Sequence, residues 1–281
     1  MSRPAQQDGL RGKPIVITGA GRGLGRSYAL HLAGLGARMV VNDCDEVVTE
    51  VRDEILAAGG TAIAVVGSVT DWDFAEQLIA RAVDEYGWLH GVVSNAGVYH
   101  ITPVVDETPE PIRISVDSNL IGTMHVGIHA LRNFGKAGAG VLITTTSSSA
   151  QGLGGSSVYA ATKGAILSLT YSWAIEVEGT GIRVNCIRPR AMTRMSVVRG
   201  TPKPGARSPE EIAPLMEYLL DDRSAALNGQ VLSFDGATLE VLQIAHPVAL
   251  QTPPDWSVDS IAATVAAGPP AQAPSNLRVL G

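Results

Sequence analysis

PIVITGAGRGLGRSYAL, residues 14–30, decides the fold. Its first five residues are an apolar run of strand length, and helical spacing begins near residue 23. Glycines at 19, 23 and 25 in the turn between them permit a sharp reversal and a close approach of backbone to a ligand. A strand, a glycine turn and a helix start in this order expose unpaired backbone N–H groups at the positive end of a helix dipole. That is a cradle for a pyrophosphate, and its place between strand and helix separates it from a chance run among the 31 glycines.

Working outward, apolar runs recur at RMVVN (38–42), AIAVV (62–66), HGVVS (90–94), VLITTT (141–146), IRVNCI (182–187) and VLSF (231–234). Between them lie stretches of helical spacing, roughly 23–36, 46–58, 71–87, 115–134, 157–179 and 209–221. Near-continuous apolar strands alternating with helices predict a parallel sheet covered on both faces, in a doubly wound α/β arrangement of about seven strands. The expected organisation is a flexible N-terminus over 1–11, one Rossmann-type domain over 12–245, and a Pro/Ala-rich extension over 246–281. That extension holds six of the sixteen prolines and reads as having little regular structure. GTPKPGARSP, 200–209, reads as a loop.

The second strand ends at Asn42-Asp43, twenty-four residues after Gly19. An acidic residue near this spacing accepts hydrogen bonds from adenosine-ribose hydroxyls and repels a 2′-phosphate, so Asp43 favours NAD over NADP. Arg22 opposes that reading, because a cation in the glycine loop can pair with the same phosphate. Further along, Tyr159 and Lys163 in YAATK stand at i and i+4, on one face of a helix. An ammonium beside a phenol favours the phenolate and brings tyrosine toward the range of acid–base work. Upstream, the strand VLITTT runs into Ser147-Ser148-Ser149, at a strand end where ligands bind in such sheets.

The chain has 281 residues and a formal net charge of −6, from 21 basic and 27 acidic side chains. Nothing in that balance looks like a nucleic-acid surface. With mean hydropathy at +0.16, no apolar run approaches a membrane span, and the start MSRPAQQDGLRGK lacks a signal core. Two cysteines, Cys44 and Cys186, exclude a disulfide scaffold and a cysteine-based zinc site. The expected setting is the reducing cytoplasm, with no metal, nucleic-acid or membrane partner.

Taken together, TGAGRGLG (18–25), SNAG (94–97), the asparagine of DSNLIGT (117–123), the serine after the fifth strand and YAATK (159–163) resemble the short-chain dehydrogenase/reductase family, over about residues 12 to 240. The resemblance implies an NAD(P)-dependent oxidoreductase that interconverts an alcohol and a ketone by hydride transfer. Tyr159 would be the acid–base residue, and Lys163 would hold the nicotinamide ribose and depress the tyrosine pKa. Asn119 would fix a water in the proton path. Ser147 would hydrogen-bond the substrate oxygen, with Ser149 as the other candidate because SAQG resembles the family's Ser-x-x-Gly. The cofactor would further touch Gly19, Arg22, Gly23, Leu24, Gly25, Ser68, Val69, Asn95, Ala96, Gly97, Pro189 and Thr193. The family's Pro-Gly reads Pro189-Arg190 here, and Arg190 is open to two readings: toward the ligand, or outward.

The substrate loops hold Val98, Tyr99, Leu153, Met192, Met195, Val197 and Val198, a largely apolar set that suits a bulky hydrophobic substrate. Within the family, GKPIVITGAGRGLGRSYAL (12–30), VVND (40–43), GSV (67–69) and TRM (193–195) leading to EEIAPL (210–215) most resemble the dehydrogenase part of the peroxisomal multifunctional enzyme type 2. Its relatives act on 17β-hydroxysteroids and (3R)-hydroxyacyl-CoA thioesters. The absence of a large basic cluster for a CoA diphosphate favours a hydroxysteroid or cyclic alcohol, with a hydroxyacyl-CoA as the alternative. A non-catalytic dinucleotide sensor is a further alternative, disfavoured because Asn119, Ser147, Tyr159 and Lys163 are all present. The resemblance also implies a homodimer or homotetramer.

Overall fold

The computed structural model describes residues 9–192, 207–243 and 256–267. Seven parallel strands and one antiparallel strand form a sheet in the order β3-β2-β1-β4-β5-β6-β7-β8. They are β1 Pro14–Thr18, β2 Arg38–Asp43, β3 Thr61–Val66, β4 Gly91–Ser94, β5 Ala139–Thr145, β6 Gly181–Pro189, β7 Val231–Phe234 and β8 Leu239–Val241. The helices are α1 Gly23–Gly34, α2 Val48–Ala57, α3 Trp72–Tyr86, α4 Pro109–Val116, α5 Gly122–Ala137, α6 Ser157–Glu176, α7 Ala213–Leu220 and α8 Val258–Ala267.

Period-two alternation along the strands divides the core into two layers. Ile15, Ile17, Met39, Val41, Val93 and Ile143 pack with α1, α2 and α7. Val16, Val40, Val92, Leu142 and Val184 pack with α3, α5 and α6. Both faces are thus buried, which is why the strands read as unbroken apolar runs rather than alternating ones. β1 pairs with β2 on one side and β4 on the other, so the strand order reverses between β1 and β4. A crevice opens at such a reversal, beyond the carboxyl ends of the strands.

Three features depart from the sequence expectation. An eighth strand, β8, pairs antiparallel with β7 after a turn in which Asp235 accepts from the N–H groups of Ala237 and Thr238. It is three residues long and exposed throughout, so it carries no apolar run to announce it. The expected helix over 115–134 is instead α4, a π-helical turn at Asp117–Ile121, and α5. A π turn keeps helical spacing on either side and so leaves the periodicity nearly unchanged. In the extension, where little regular structure was expected, Val258–Ala267 is a helix. The chain divides into two compact units, Met1–Leu242 and Gln243–Gly281. No helix among the described residues is long and apolar enough to cross a membrane.

Candidate active site

The turn after β1 is built by backbone packed against backbone. Gly19 and Gly23 have φ of +63° and +55°, a region that side chains disfavour. Gly25 lies so close to the preceding turn that a Cβ there would stand 2.1 Å from the Gly19 carbonyl oxygen. A Cβ on Gly19 would stand 2.7 Å from Ala96 Cα. Asn95 stitches the two strand ends together: its Nδ2 donates to the carbonyls of Thr18 (3.1 Å) and Gly19 (3.2 Å). The backbone N–H groups of Asn95 and Ala96 both donate to Thr18 Oγ1. Arg22, in extended conformation, is the residue before α1, and no side chain caps that helix N-terminus. Its first turn, with Gly23, Leu24 and Gly25, therefore presents N–H donors that no capping side chain has claimed.

Asp43 ends β2 beside this turn, where its Oδ2 accepts from the Gly21 N–H at 3.0 Å. A Cβ on Gly21 would lie 2.9 Å from the same oxygen, so the glycine is what lets the carboxylate come so near. Arg22 turns to Asp45, with Nη1 2.8 Å from Oδ2. Asp45 is held below the usual carboxylate range by the Val47 N–H and, after that, by Arg22. The cation that opposed the NAD reading is thus already paired. Ser68 and Val69 follow β3; Ser68 Oγ shares a hydrogen bond with Thr70 Oγ1, and Val69 packs at Gly122, where α5 begins.

Across the crevice, polar side chains in buried surroundings replace bare backbone. Asn119 is fully buried in the π turn. Its Oδ1 accepts from the Val98 N–H at 2.7 Å, and its Nδ2 donates to the Val98 carbonyl (3.0 Å) and to Thr162 Oγ1 (3.2 Å). Gly97 sits where Asn119 and Lys163 converge: a Cβ there would be 2.7 Å from Asn119 Oδ1 and 3.6 Å from Lys163 Nζ. Lys163 is buried on α6 and donates to the Thr145 carbonyl at 2.9 Å. Burial lowers its pKa from 10.5 to about 8, because desolvation penalises the ammonium. One turn earlier lies Tyr159, also buried, with Lys163 Nζ 5.8 Å from its ring centroid. The ring of Tyr99 stands edge-on to it, with centroids 4.6 Å apart and planes at 88°.

The three serines open a short 3₁₀ turn, Ser148–Gln151, which packs on α6. Ser147 is half-buried and its Oγ accepts from the Ser149 N–H at 3.2 Å; Ser149 is buried. The two hydroxyls are 3.4 Å apart. Pro189 ends β6 opposite Phe234. Arg190 points to the β7–β8 hairpin, with Nη2 2.9 Å from Asp235 and 3.5 Å from Glu240. Met192 is exposed at the edge of the described chain. Thr193, Met195, Val197 and Val198 lie outside the described residues.

Sequence reasoning grouped Asn119, Ser147, Tyr159 and Lys163 and assigned Gly97 to the adenosine side; the structure brings Lys163 beside Tyr159 and sets Gly97 between Asn119 and Lys163. It missed Asp45, Thr145 and Thr162. Asp45 was visible as a neighbouring charge, but its pairing with Arg22 depends on how the glycine turn meets β2. Thr145 acts through a carbonyl, which no residue type reports.

A sequence model described as short chain dehydrogenase matches residues 13–201. A short-chain type dehydrogenase/reductase of Mycobacterium tuberculosis is 36% identical over 233 residues, covering 77% of this chain and 80% of the relative. Cis-4-hydroxycyclohexanecarboxylate dehydrogenase of Sinomonas cyclohexanicum is 32% identical over 234 residues, covering 79% and 94%. Among solved structures, a short chain dehydrogenase from Mycobacterium avium superposes with a TM-score of 0.83 at 32% identity, covering 92% of this chain and 94% of that one.

Proposed function

Within the short-chain dehydrogenase family, to which this chain belongs, we propose an NAD-dependent enzyme that interconverts a secondary alcohol and a ketone on a bulky hydrophobic substrate, a cyclic alcohol or hydroxysteroid. Membership makes the chain an oxidoreductase of a family that uses nicotinamide dinucleotides. The observation that carries the rest is the buried pair on α6: Lys163, with its ammonium 5.8 Å from the Tyr159 ring, at the open ends of β4 and β5.

The residues present fit a dinucleotide. The turn at Gly19–Gly25 is packed too closely for a Cβ at Gly19, Gly21 or Gly25, and it lies beside an uncapped helix N-terminus, a cradle for a pyrophosphate. Gly19, Gly23, Leu24 and Gly25 would hold the pyrophosphate, with Asp43 at the adenosine ribose, Ser68 and Val69 at the adenine, and Asn95, Ala96 and Gly97 along the adenosine side. Lys163 would hold the nicotinamide ribose. Pro189 and Thr193 complete the proposed set. When bound, the nicotinamide supplies the carbon that accepts or gives the hydride.

In oxidation, Tyr159 Oη takes the hydroxyl proton of the alcohol; in reduction, it returns a proton to the ketone oxygen. Lys163 makes the phenolate form accessible through its nearby positive charge. Ser147, the more exposed of the two candidate serines, holds the substrate oxygen, and Ser149 supports it from beneath. Both ends of the Asn119 side chain are committed to Val98 and Thr162. Asn119 therefore fixes the chain after Gly97, where the π turn places it, and in this proposal it would also hold a water in the proton path. Asp43 beside Gly21, and the pairing of Arg22 with Asp45, support NAD over NADP.

For the substrate, the relative named for a hydroxycyclohexanecarboxylate favours a cyclic alcohol, and Met192 offers apolar surface. The likeness to the peroxisomal multifunctional enzyme rests on the motifs alone and keeps a hydroxyacyl-CoA in the test. The proposal includes a homodimer or homotetramer, supported by the exposed edge strand β8, and a domain ending near residue 245. A reducing, cytoplasmic setting is supported by Cys44 and Cys186, both free thiols.

The test is NADH absorbance with NAD or NADP and a panel holding cyclic alcohols, a 17β-hydroxysteroid and a (3R)-hydroxyacyl-CoA. The expected result is reduction of NAD by the first or second class. Tyr159→Phe is expected to lose turnover by about a thousandfold while still binding NADH. Turnover retained in that variant refutes the assigned chemistry.

A further inference from the structure

The segment that follows Gly97 is tied down at successive points, and each tie leads to a different part of the site. Val98 is bonded through both its N–H and its carbonyl to Asn119. Tyr99 Oη lies 3.2 Å from Ser156 Oγ, a buried hydroxyl on the residue before α6. Thr102 donates its N–H to the Gly155 carbonyl at 2.8 Å. His100 Nε2 lies 2.9 Å from Glu107, whose side chain is largely buried. Between these anchors the Tyr99 ring meets the Tyr159 ring at 4.6 Å and 88°.

We infer that Tyr99 is a positioning residue for the reaction assigned above: it fixes the orientation of the Tyr159 phenol and couples it to the segment held by Asn119. This rests on the reading of Tyr159 as the proton-transferring residue. The Tyr159 side chain turns about two torsions, and burial alone does not choose between neighbouring orientations of Oη. On one side stands Lys163, whose ammonium is 5.8 Å from the ring centroid. A perpendicular aromatic neighbour is a favourable partner for the ring in a single orientation, beyond the area it buries. Tyr99 can play that part only if it is itself held. The backbone bonds of Val98 to Asn119 and of Thr102 to Gly155 hold it at the start of the same helix that carries Tyr159, and its hydroxyl on Ser156 adds only one neutral hydrogen bond to that hold. A displacement of the phenol oxygen by even ~1 Å costs proton transfer heavily, by up to about a hundredfold.

The experiment uses the full chain and compares Tyr99→Leu with Tyr99→Phe on the best alcohol of the panel, with NADH binding followed by fluorescence. Tyr99→Leu is expected to lower kcat by about tenfold to a hundredfold, with KM for the alcohol and NADH affinity within about threefold of the parent. Tyr99→Phe keeps the ring, loses one neutral hydrogen bond, and is expected to stay within about threefold. An unchanged kcat in Tyr99→Leu overturns the inference. So does a loss confined to KM, which would make Tyr99 only a wall of the pocket, or an equal loss in Tyr99→Phe. If Tyr99→Leu does not fold, Tyr99→Met fills the same space with an adaptable side chain.

Tyr159→Phe in the same assay separates the two readings. If it is active, the proposed function fails. If it is inactive while Tyr99→Leu is normal, only the positioning role fails. A turnover-independent measurement completes the test. The tyrosinate absorbance step that is missing in Tyr159→Phe is expected at different pH in Tyr99→Leu and Tyr99→Phe, and coincident curves overturn the inference.

Discussion

The two walls of the crevice at the strand-order reversal are made of different materials. On the β1–β2 side, Gly19, Gly21 and Gly25 bring main chain to within van der Waals limits of main chain or of Asp43. On the β4–β6 side, buried polar side chains do the work: Asn119 to Val98 and Thr162, Lys163 to Thr145, and Thr146 Oγ1 to the Lys163 carbonyl at 2.7 Å. The first wall is local, drawn mostly from one turn. The second gathers residues from 97 to 163, and each buried polar group must find its partner or destabilise the fold. The difference teaches where each wall is fragile: the glycine wall fails on added atoms, the polar wall on removed ones.

Gly25→Ala is the severest test of the first wall. Its Cβ would meet the Gly19 carbonyl oxygen at 2.1 Å and Asn95 Nδ2 at 2.8 Å, and that amide is itself tied to the Thr18 and Gly19 carbonyls. We expect NADH affinity to fall by more than about a hundredfold, a loss of about 3 kcal/mol. A fluorescence titration checks this, and parental affinity would mean that the turn is not the cradle.

Asn119→Ala tests the second wall. It removes three hydrogen bonds and leaves the Val98 N–H and carbonyl without the partners they have now. At about 1–3 kcal/mol for each buried group stranded, the expected destabilisation is about 3 kcal/mol, read by urea unfolding. Turnover should fall with it, since the segment carrying Tyr99 loses its anchor. Full stability would show that solvent replaces the lost bonds and that this wall is less buried than it appears in the fold.

The pH dependence sharpens the contrast without a mutation. Burial lowers the Lys163 pKa from 10.5 to about 8. In the free protein, the ammonium is therefore present below about pH 8 and lost above it. A bound dinucleotide, with its negative phosphates and ribose hydroxyls, favours the ammonium, so binding above that pH must take up a proton. NADH affinity should be level at lower pH and decline as pH rises through about 8, by at most about tenfold per pH unit. Isothermal titration across that range measures it, and Lys163→Met should show no such decline. For the unliganded protein the sign is opposite. Between about 8 and 10.5 the unfolded chain binds a proton that the folded one lacks, so stability rises with pH across that window.

Asp45→Ala carries the smallest expected effect. It releases Arg22 from a surface pair in which both side chains are about half exposed. Such pairs contribute little, so NADP affinity should improve by only about threefold with NAD unchanged. If NADP binding does not improve, Arg22 does not reach the 2′ position even when released, and Asp43 governs the choice alone.

Much of this was legible beforehand, for identifiable reasons. The β1 strand and glycine turn are contiguous, so their geometry is written in consecutive residues. Tyr159 and Lys163 are one helical turn apart, and the helix period brings them together. The three-residue strand β8 was not legible, because an exposed antiparallel edge needs no apolar signature. The π turn at Asp117–Ile121 was read through as continuous helix, because one inserted residue barely disturbs the spacing around it. Arg190 was legible only as a departure from the family's glycine. Its partners, Asp235 and Glu240, come from a hairpin forty-five and fifty residues further along the chain.

The sequence by itself determined the alternation of strand and helix, the glycine turn, the acidic end of β2 and the tyrosine–lysine pair. Each depends on spacing within a strand, a turn or a helix, where covalent geometry fixes which residues are neighbours. Only the tertiary structure decided that Arg22 belongs to Asp45, that Arg190 faces the hairpin, that Asn119 spends its side chain on Val98 and Thr162, and that Tyr99 stands against Tyr159. Those partners are distant in sequence, and the energy that selects them is the cost of leaving a buried polar group or an unfilled contact. That cost exists only once the two layers have closed on the sheet.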